Sequence, residues 1–142
     1  MIKEDCLFCK IAKGEIHSAT VYEDSHFTVI LDVNPATKGH CLIIPKEHFD
    51  NIYDLDGETA GKLFALATCI ARAMKDALKC DGLNLVQNNG EVAGQTVNHF
   101  HLHLIPRYEG DGLNLNWPQQ EISGEQLEEI RQSIKTVSYT HL

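Results

Sequence analysis

The sequence predicts an α+β domain in which short strands surround one long helix. Three observations carry that expectation. Short runs of β-branched and apolar residues, punctuated by Asn, Asp, Gly and Pro, recur on both sides of a central region. Within that region Leu63, Leu66, Ile70, Met74 and Ala77 return every three or four residues, the spacing of one helical face. Finally, His99-Phe100-His101-Leu102-His103-Leu104-Ile105 alternates polar and apolar residues, the period-2 signature of a half-buried strand.

The elements follow in order. Cys6-Leu7-Phe8-Cys9 reads as a redox pair, half of a zinc site, or a chance spacing. Lys10 stands where haem attachment would need histidine, and zinc would need two further ligands. Leu7, Phe8 and Ile11 form an apolar cluster that begins a helical turn. Thr20–Glu23 and Phe27–Leu31 read as a hairpin. Asp32 then opens a loop containing Asn34-Pro35 and Gly39; it is either a turn carboxylate or an acceptor pair for a vicinal diol such as ribose. His40–Pro45 is a nearly all-apolar strand, expected to be central and covered on both faces.

The long helix is expected from near Asp56–Thr59 to near Lys79, with Asp54 or Asp56 as N-cap and Asp81-Gly82 as the stop. Ala67, Ala71 and Leu78 widen its apolar stripe, and Cys69 and Cys80 are expected as small buried side chains. Leu83–Asn88 reads as a fourth strand. The Gly-bearing loop 89–94 then leads into the histidine strand, giving an antiparallel pair and backbone N–H groups suited to an anion. Pro106 is expected to end that strand. Ser123-x-x-Gln126 is a capping box for a short last helix to about Lys135. The closing Val137-Ser138-Tyr139-Thr140-His141-Leu142 follows abruptly and reads like a translated sequencing adaptor. The expectation is therefore a single domain over 1–136 and a non-native tail over 137–142.

Composition narrows the function classes. A formal net charge of −8 argues against nucleic acid polymers as partners, yet a mononucleotide needs only a few local donors. The N-terminus shows no apolar leader, and no apolar run approaches membrane-spanning length. Five cysteines without a leader read as reduced thiols in a cytoplasmic protein. Neither common glycine-rich nucleotide fingerprint occurs.

The histidine strand carries the chemistry. His99, His101 and His103 are expected on one face, with Phe100, Leu102 and Leu104 on the core side. Imidazoles so close would repel one another if all were protonated, so near neutral pH the face offers nucleophiles, proton carriers or metal ligands.

The stretch Gly94–Arg107, taken with His40, resembles the histidine triad (HIT) family of nucleotide hydrolases and transferases. Its signature, three histidines alternating with apolar residues, is matched in full by 99–105, and Gly94-Gln95-Thr96 is similar to the family's approach to it. Leu42-Ile43-Ile44-Pro45-Lys46, Leu7-Phe8-x-x-Ile11 and Tyr22-Glu23-Asp24 also resemble the family, so the likeness covers roughly residues 5–108. It implies an antiparallel sheet of about five strands with the long helix on one side, and a homodimer whose sheets continue as one. It implies His101 as the nucleophile at the α-phosphorus of a purine nucleotide. His103 and His40 would contact phosphate oxygens or the leaving group, and His99 would orient from behind. Asn88, Gln95 and Thr96 match phosphate and leaving-group positions, Asp32 the ribose position, and Leu7, Phe8, Ile11, Ile30 and Val33 the base-pocket wall.

Such chemistry needs positioning and charge stabilisation rather than a catalytic cofactor. Asp32 resembles the nucleoside phosphoramidase branch, whereas Leu104-Ile105-Pro106-Arg107 resembles the diadenosine-polyphosphate hydrolase branch. Two other readings compete: a zinc-dependent hydrolase using a His-x-His pair and His40, and a non-catalytic nucleotide-binding or signalling module. Some bacterial members of the family resemble this chain in one more respect. They imply a structural zinc on Cys6, Cys9, His48 and His99, away from the reacting face, pinning Phe8 against the sheet.

Overall fold

A computed structural model describes residues 3–142; Met1 and Ile2, which began the leader reading, lie outside the described residues. The chain runs α1 (Leu7–Ala12), β1 (Thr20–Glu23), β2 (Phe27–Leu31), β3 (Cys41–Pro45), α2 (Gly57–Leu78), β4 (Gly82–Val86), β5 (Leu102–Arg107) and α3 (Gly124–Ser138). The strands form one five-stranded sheet in the order β1-β2-β3-β5-β4, every neighbouring pair antiparallel. The expected α+β architecture is therefore the observed one.

β3 is central because it can be: all five of its residues are buried, and it pairs β2 through Phe27↔Pro45 to Leu31↔Cys41. Period-2 alternation sorts its side chains and those of β5 onto two faces. On one face Val29, Cys41, Ile43, Phe100, Leu102 and Leu104 meet Leu63, Ala67, Ile70 and Met74 of α2. Fully burying a side chain such as Ile43 stabilises the fold by about 1.5–3 kcal/mol. The opposite face is covered by a smaller cluster in which Phe8 of α1 packs with Ile30, Leu42 and Ile44.

α2 starts at Asp56, whose carboxylate accepts from Thr59 N–H at 2.9 Å, one of the two caps expected. Its stop differs from the expectation. Lys79, not a glycine, takes the left-handed conformation (φ 54°) and donates its N–H to the Lys75 carbonyl. Cys69 is exposed and Cys80 half-buried, so neither is the buried residue expected. Cys69 lies off the stripe that faces the sheet, and Cys80 lies beyond the end of α2.

The histidine strand is displaced. The ladder begins at Leu102, because the last β3 partner is Ile43 opposite Leu102 and the last β4 partner is Val86 opposite His103. His99 and His101 precede it in irregular backbone. At the other end the ladder passes through Pro106, opposite Leu83, to Arg107. The Pro106 carbonyl accepts the Thr37 hydroxyl at 2.6 Å, on the side where β3 has already ended, so no donor is missed there. The capping box at Ser123 is formed as expected. α3 is exposed from Gly124 to Val137, with Ser138 half-buried, and Tyr139–Leu142 beyond it are exposed too.

Candidate active site

Backbone groups decide where each histidine carries its proton. A carbonyl only accepts, so His101 must donate Nδ1–H to the His99 carbonyl, 2.7 Å away. Its Nε2 is left with a lone pair. On His40, Nδ1 accepts the Ala36 N–H at 3.0 Å, which places the proton on Nε2. That Nε2–H donates to His103 Nδ1 at 2.9 Å, and His103 in turn keeps its proton on Nε2. The face therefore offers one basic nitrogen, on His101, beside a ring that donates, His103, with ring centroids 4.9 Å apart. Gly39 sets His40: its φ of +97° is a left-handed value, and a Cβ there would fall 2.5 Å from Leu78.

Burial keeps these rings neutral. It lowers the pKa of His40 and His101, with Asp32 and, for His101, the His99 carbonyl opposing it. Burial and the neighbouring imidazoles push His103 down to about 4. His99, fully buried, is likewise pushed to about 4 against the pull of the Pro45 carbonyl.

His101 and His103 line a cleft of about 480 Å³, within the ordinary range for small-molecule sites. Leu7, Phe8, Ile11, Ile30, Asp32, Val33 and Thr96 line it too, so seven of the nine expected nucleotide residues are brought together. Gln95 and Asn88 are not among the lining residues. Gln95 accepts from Gly90 N–H and donates to the carbonyls of Asp50 and Val97, which commits its amide to holding the loop. Asn88 lies beside Gly94. Ile16, His17, Ser18, Leu31, Asn34, Leu42 and Val97 complete the lining; most sit in or beside turns, where no periodicity marks them.

Behind the reacting face, Cys6, Cys9, His48 and His99 bring one ligand atom each to within 4.8 Å of the others. Cys6 Sγ–His99 Nδ1 is 3.3 Å, Cys9 Sγ–His48 Nδ1 3.4 Å and Cys9 Sγ–His99 Nδ1 3.5 Å.

The HIT domain profile matches residues 13–110. The chain is 47% identical over 134 residues to the Protein hit of Bacillus subtilis, covering 92% of each. The chain belongs to the HIT family. It is 40% identical over 130 residues to the adenosine 5′-monophosphoramidase of Saccharomyces cerevisiae, covering 91% of this chain and 80% of that one. Among solved structures, a Streptococcus mutans protein superimposes with a TM-score of 0.91 at 46% identity, over 94% of this chain and 85% of that one. A zinc-bound histidine triad protein from Mycobacterium smegmatis does so at 0.74 and 40%, over 93% and 96%.

Two histidine clusters in this HIT domain differ in their fitness for a metal. Tetrahedral zinc bonds of about 2.3 Å to sulfur and 2.0–2.1 Å to nitrogen place ligand atoms roughly 3.5 Å apart, and the three sulfur–nitrogen distances match. His99 donates Nε2–H to the Pro45 carbonyl at 2.8 Å, and His48 Nε2 meets Asp50 at 2.6 Å. Both rings thus turn Nδ1 lone pairs toward the thiols, with the supporting hydrogen bonds a metal histidine requires. The widest separation, up to 4.8 Å, asks the four to draw in slightly. Asp32, His40 and His103 also converge within 4.8 Å. There the Ala36 N–H holds the proton on His40 Nε2, the atom that would have to ligate, so this second cluster does not fit.

Proposed function

We propose that this protein is a nucleotide hydrolase that cleaves purine nucleoside phosphoramidates at the α-phosphate through His101. The observation that carries the reading is the His101 ring: its Nδ1–H is fixed on the His99 carbonyl, and the ring lines the 480 Å³ cleft with Nε2 unprotonated. Nε2 attacks the α-phosphorus as the bond to the leaving nitrogen breaks. A covalent nucleotidyl-histidine splits one hard displacement into two easier ones. The departing nitrogen takes up one proton, and the water that later cleaves the His101–phosphorus bond returns one, so the site ends as it began. His103 Nε2–H, backed by His40, supplies charge stabilisation at the phosphate oxygens. Asp32 accepts the ribose hydroxyls, and Thr96 faces the phosphate or leaving group.

Electrostatics favour a phosphoramidate over a dinucleoside polyphosphate. Among the described residues that line the cleft there is no Lys or Arg, and Asp32 adds a carboxylate. One phosphate suits such a surface; a chain of three or four does not. The adenosine 5′-monophosphoramidase relative from yeast supports the same branch.

The test is turnover of adenosine 5′-phosphoramidate and of diadenosine polyphosphates by wild type and His101→Ala. Phosphoramidate cleavage that vanishes in the variant is expected; equal activity in the two proteins would sink the mechanism, and faster polyphosphate cleavage would reverse the branch. The reading includes a structural zinc on Cys6, Cys9, His48 and His99, supported by their convergence and by the zinc-bound relative. It includes a homodimer, supported by the open outer side of β4 at the sheet edge, beside exposed Leu85 and Trp117. It places the protein in the cytoplasm, supported by five cysteines of which none is disulfide-bonded. The domain is taken as 1–136, with 137–142 a non-native tail.

A further inference from the structure

We propose that the Cys6/Cys9/His48/His99 cluster and the nucleotide cleft are coupled through Phe8 and His99: metal held in the cluster tightens nucleotide binding, and nucleotide held in the cleft slows loss of the metal. The proposal rests on the nucleotide reading of the cleft given above.

Two connections join the sites. The first is His99. Its side chain belongs to the thiol cluster, while its carbonyl accepts the Nδ1–H of His101. A metal that fixes the His99 ring therefore also fixes the group that sets the His101 proton. The second is Phe8. It stands between the two cysteines in the sequence, is buried, and meets His101 edge-on at 4.9 Å and His99 at 6.0 Å between centroids. With Leu7 and Ile11 it forms the α1 side of the cleft.

α1 is what has to be held. It has six residues, far too short to be stable by itself. Its N-cap is Cys6, whose Sγ accepts the Cys9 N–H at 3.4 Å, so the cap is made from a would-be metal ligand. Without metal, its main anchor is the small apolar cluster around Phe8, which makes α1 a segment of low local stability. A metal tying positions 6 and 9 to 48 and 99 docks α1. A base in contact with Leu7 and Phe8 requires the same docking. Whichever binds first orders the segment for the other, and linkage makes the two effects equal in size. Phe8 and His99 are thus positioning residues.

The experiment measures AMP affinity by calorimetry on zinc-loaded and zinc-free protein, and zinc transfer to a chromophoric chelator with and without saturating AMP. AMP is expected to bind about 5- to 50-fold more weakly without zinc, and saturating AMP is expected to slow zinc release. Because loss of zinc can itself unfold the protein, Phe8→Ala is examined in its zinc-loaded form, where all four ligands remain. Its zinc release is expected to be slowed by AMP clearly less than that of wild type, only the His99 connection remaining, even at concentrations that saturate the variant. Equal AMP affinity in folded zinc-free and zinc-loaded protein overturns the coupling, as does wild-type release unchanged by AMP, or a Phe8→Ala release slowed as much as wild type. Protein that takes up no zinc also overturns it. Failure of AMP to bind zinc-loaded wild type instead overturns the nucleotide reading, and the coupling with it.

Discussion

His40→Ala tests the proton chain. His40 is 5% exposed and both of its ring nitrogens are engaged, one accepting from Ala36 N–H and the other donating to His103. Truncation leaves the Ala36 N–H without its acceptor. It also takes away the donor that holds His103 with its proton on Nε2, facing the developing charge. Losing one preorganised donor of this kind costs about 10²–10³ in kcat, or roughly 2.7–4 kcal/mol at the transition state. The stability loss is smaller, on the order of 1–3 kcal/mol for the unpaired groups, so the protein stays folded. His40→Gln is the control, since its amide N–H₂ reaches the place of Nε2 and restores the donor. Steady-state ammonia release from adenosine 5′-phosphoramidate, with circular dichroism on each variant, reads the outcome. The glutamine variant is expected to recover at least about tenfold over alanine. An alanine variant within about threefold of wild type, or glutamine no better than alanine, refutes the chain of donors.

Four further outcomes are expected. The neutral imidazoles set the acid limb of activity. Because burial lowers His40 and His101 and puts His103 at about 4, the acid limb of kcat/KM is expected below the usual histidine value of about 6.5; half-loss near 6.5 in a pH–rate profile contradicts this. The same shift makes the His103 contribution to stability fully present above about 6.5 and lost progressively as pH falls toward 4, read as a falling Tm over that window. Removing residues 137–142 is expected to leave kcat/KM unchanged and Tm within about 2 °C; a larger drop in a melting scan would mean the tail belongs to the fold. Light scattering at micromolar concentration is expected to give twice the 15.9 kDa chain mass, and a monomer would rule out sheet continuation across β4.

What the sequence made legible follows from what is local. β2, β3 and the cap of α2 come out as read because alternation, apolar runs and an Asp-x-x-Thr cap are properties of adjacent residues. The start of β5 was not legible. Alternation from His99 onward is real on both faces, but a ladder needs partners, and those end opposite Leu102 and His103. Pro106 misled for the complementary reason: the rule against proline concerns donors, and which side of the strand lacks a partner is a tertiary fact. Cys69 and Cys80 were read by residue type, which does not say where the helical stripe ends. At the site, the histidines and the Phe8 wall were readable from their motifs. Gln95 was misplaced because a side chain in a loop has several backbone partners within reach, and in this fold it takes those. His17 and Ser18 carry no local signal, and only the folded chain brings them to the cleft.

The two faces of the β5 segment answer to different selections. Phe100, Leu102 and Leu104 face α2, while His101 and His103, one residue out of step, face the cleft. Changes on the first set act on folding free energy, and changes on the second act on the cleft, and so on the chemistry proposed for it. From Leu102 onward the backbone between them is pinned by β3 and β4, so there the two kinds of change combine nearly additively where the side chains do not touch. A lineage can therefore explore new leaving groups or pocket shapes on one side of this ribbon while its stability is maintained independently on the other.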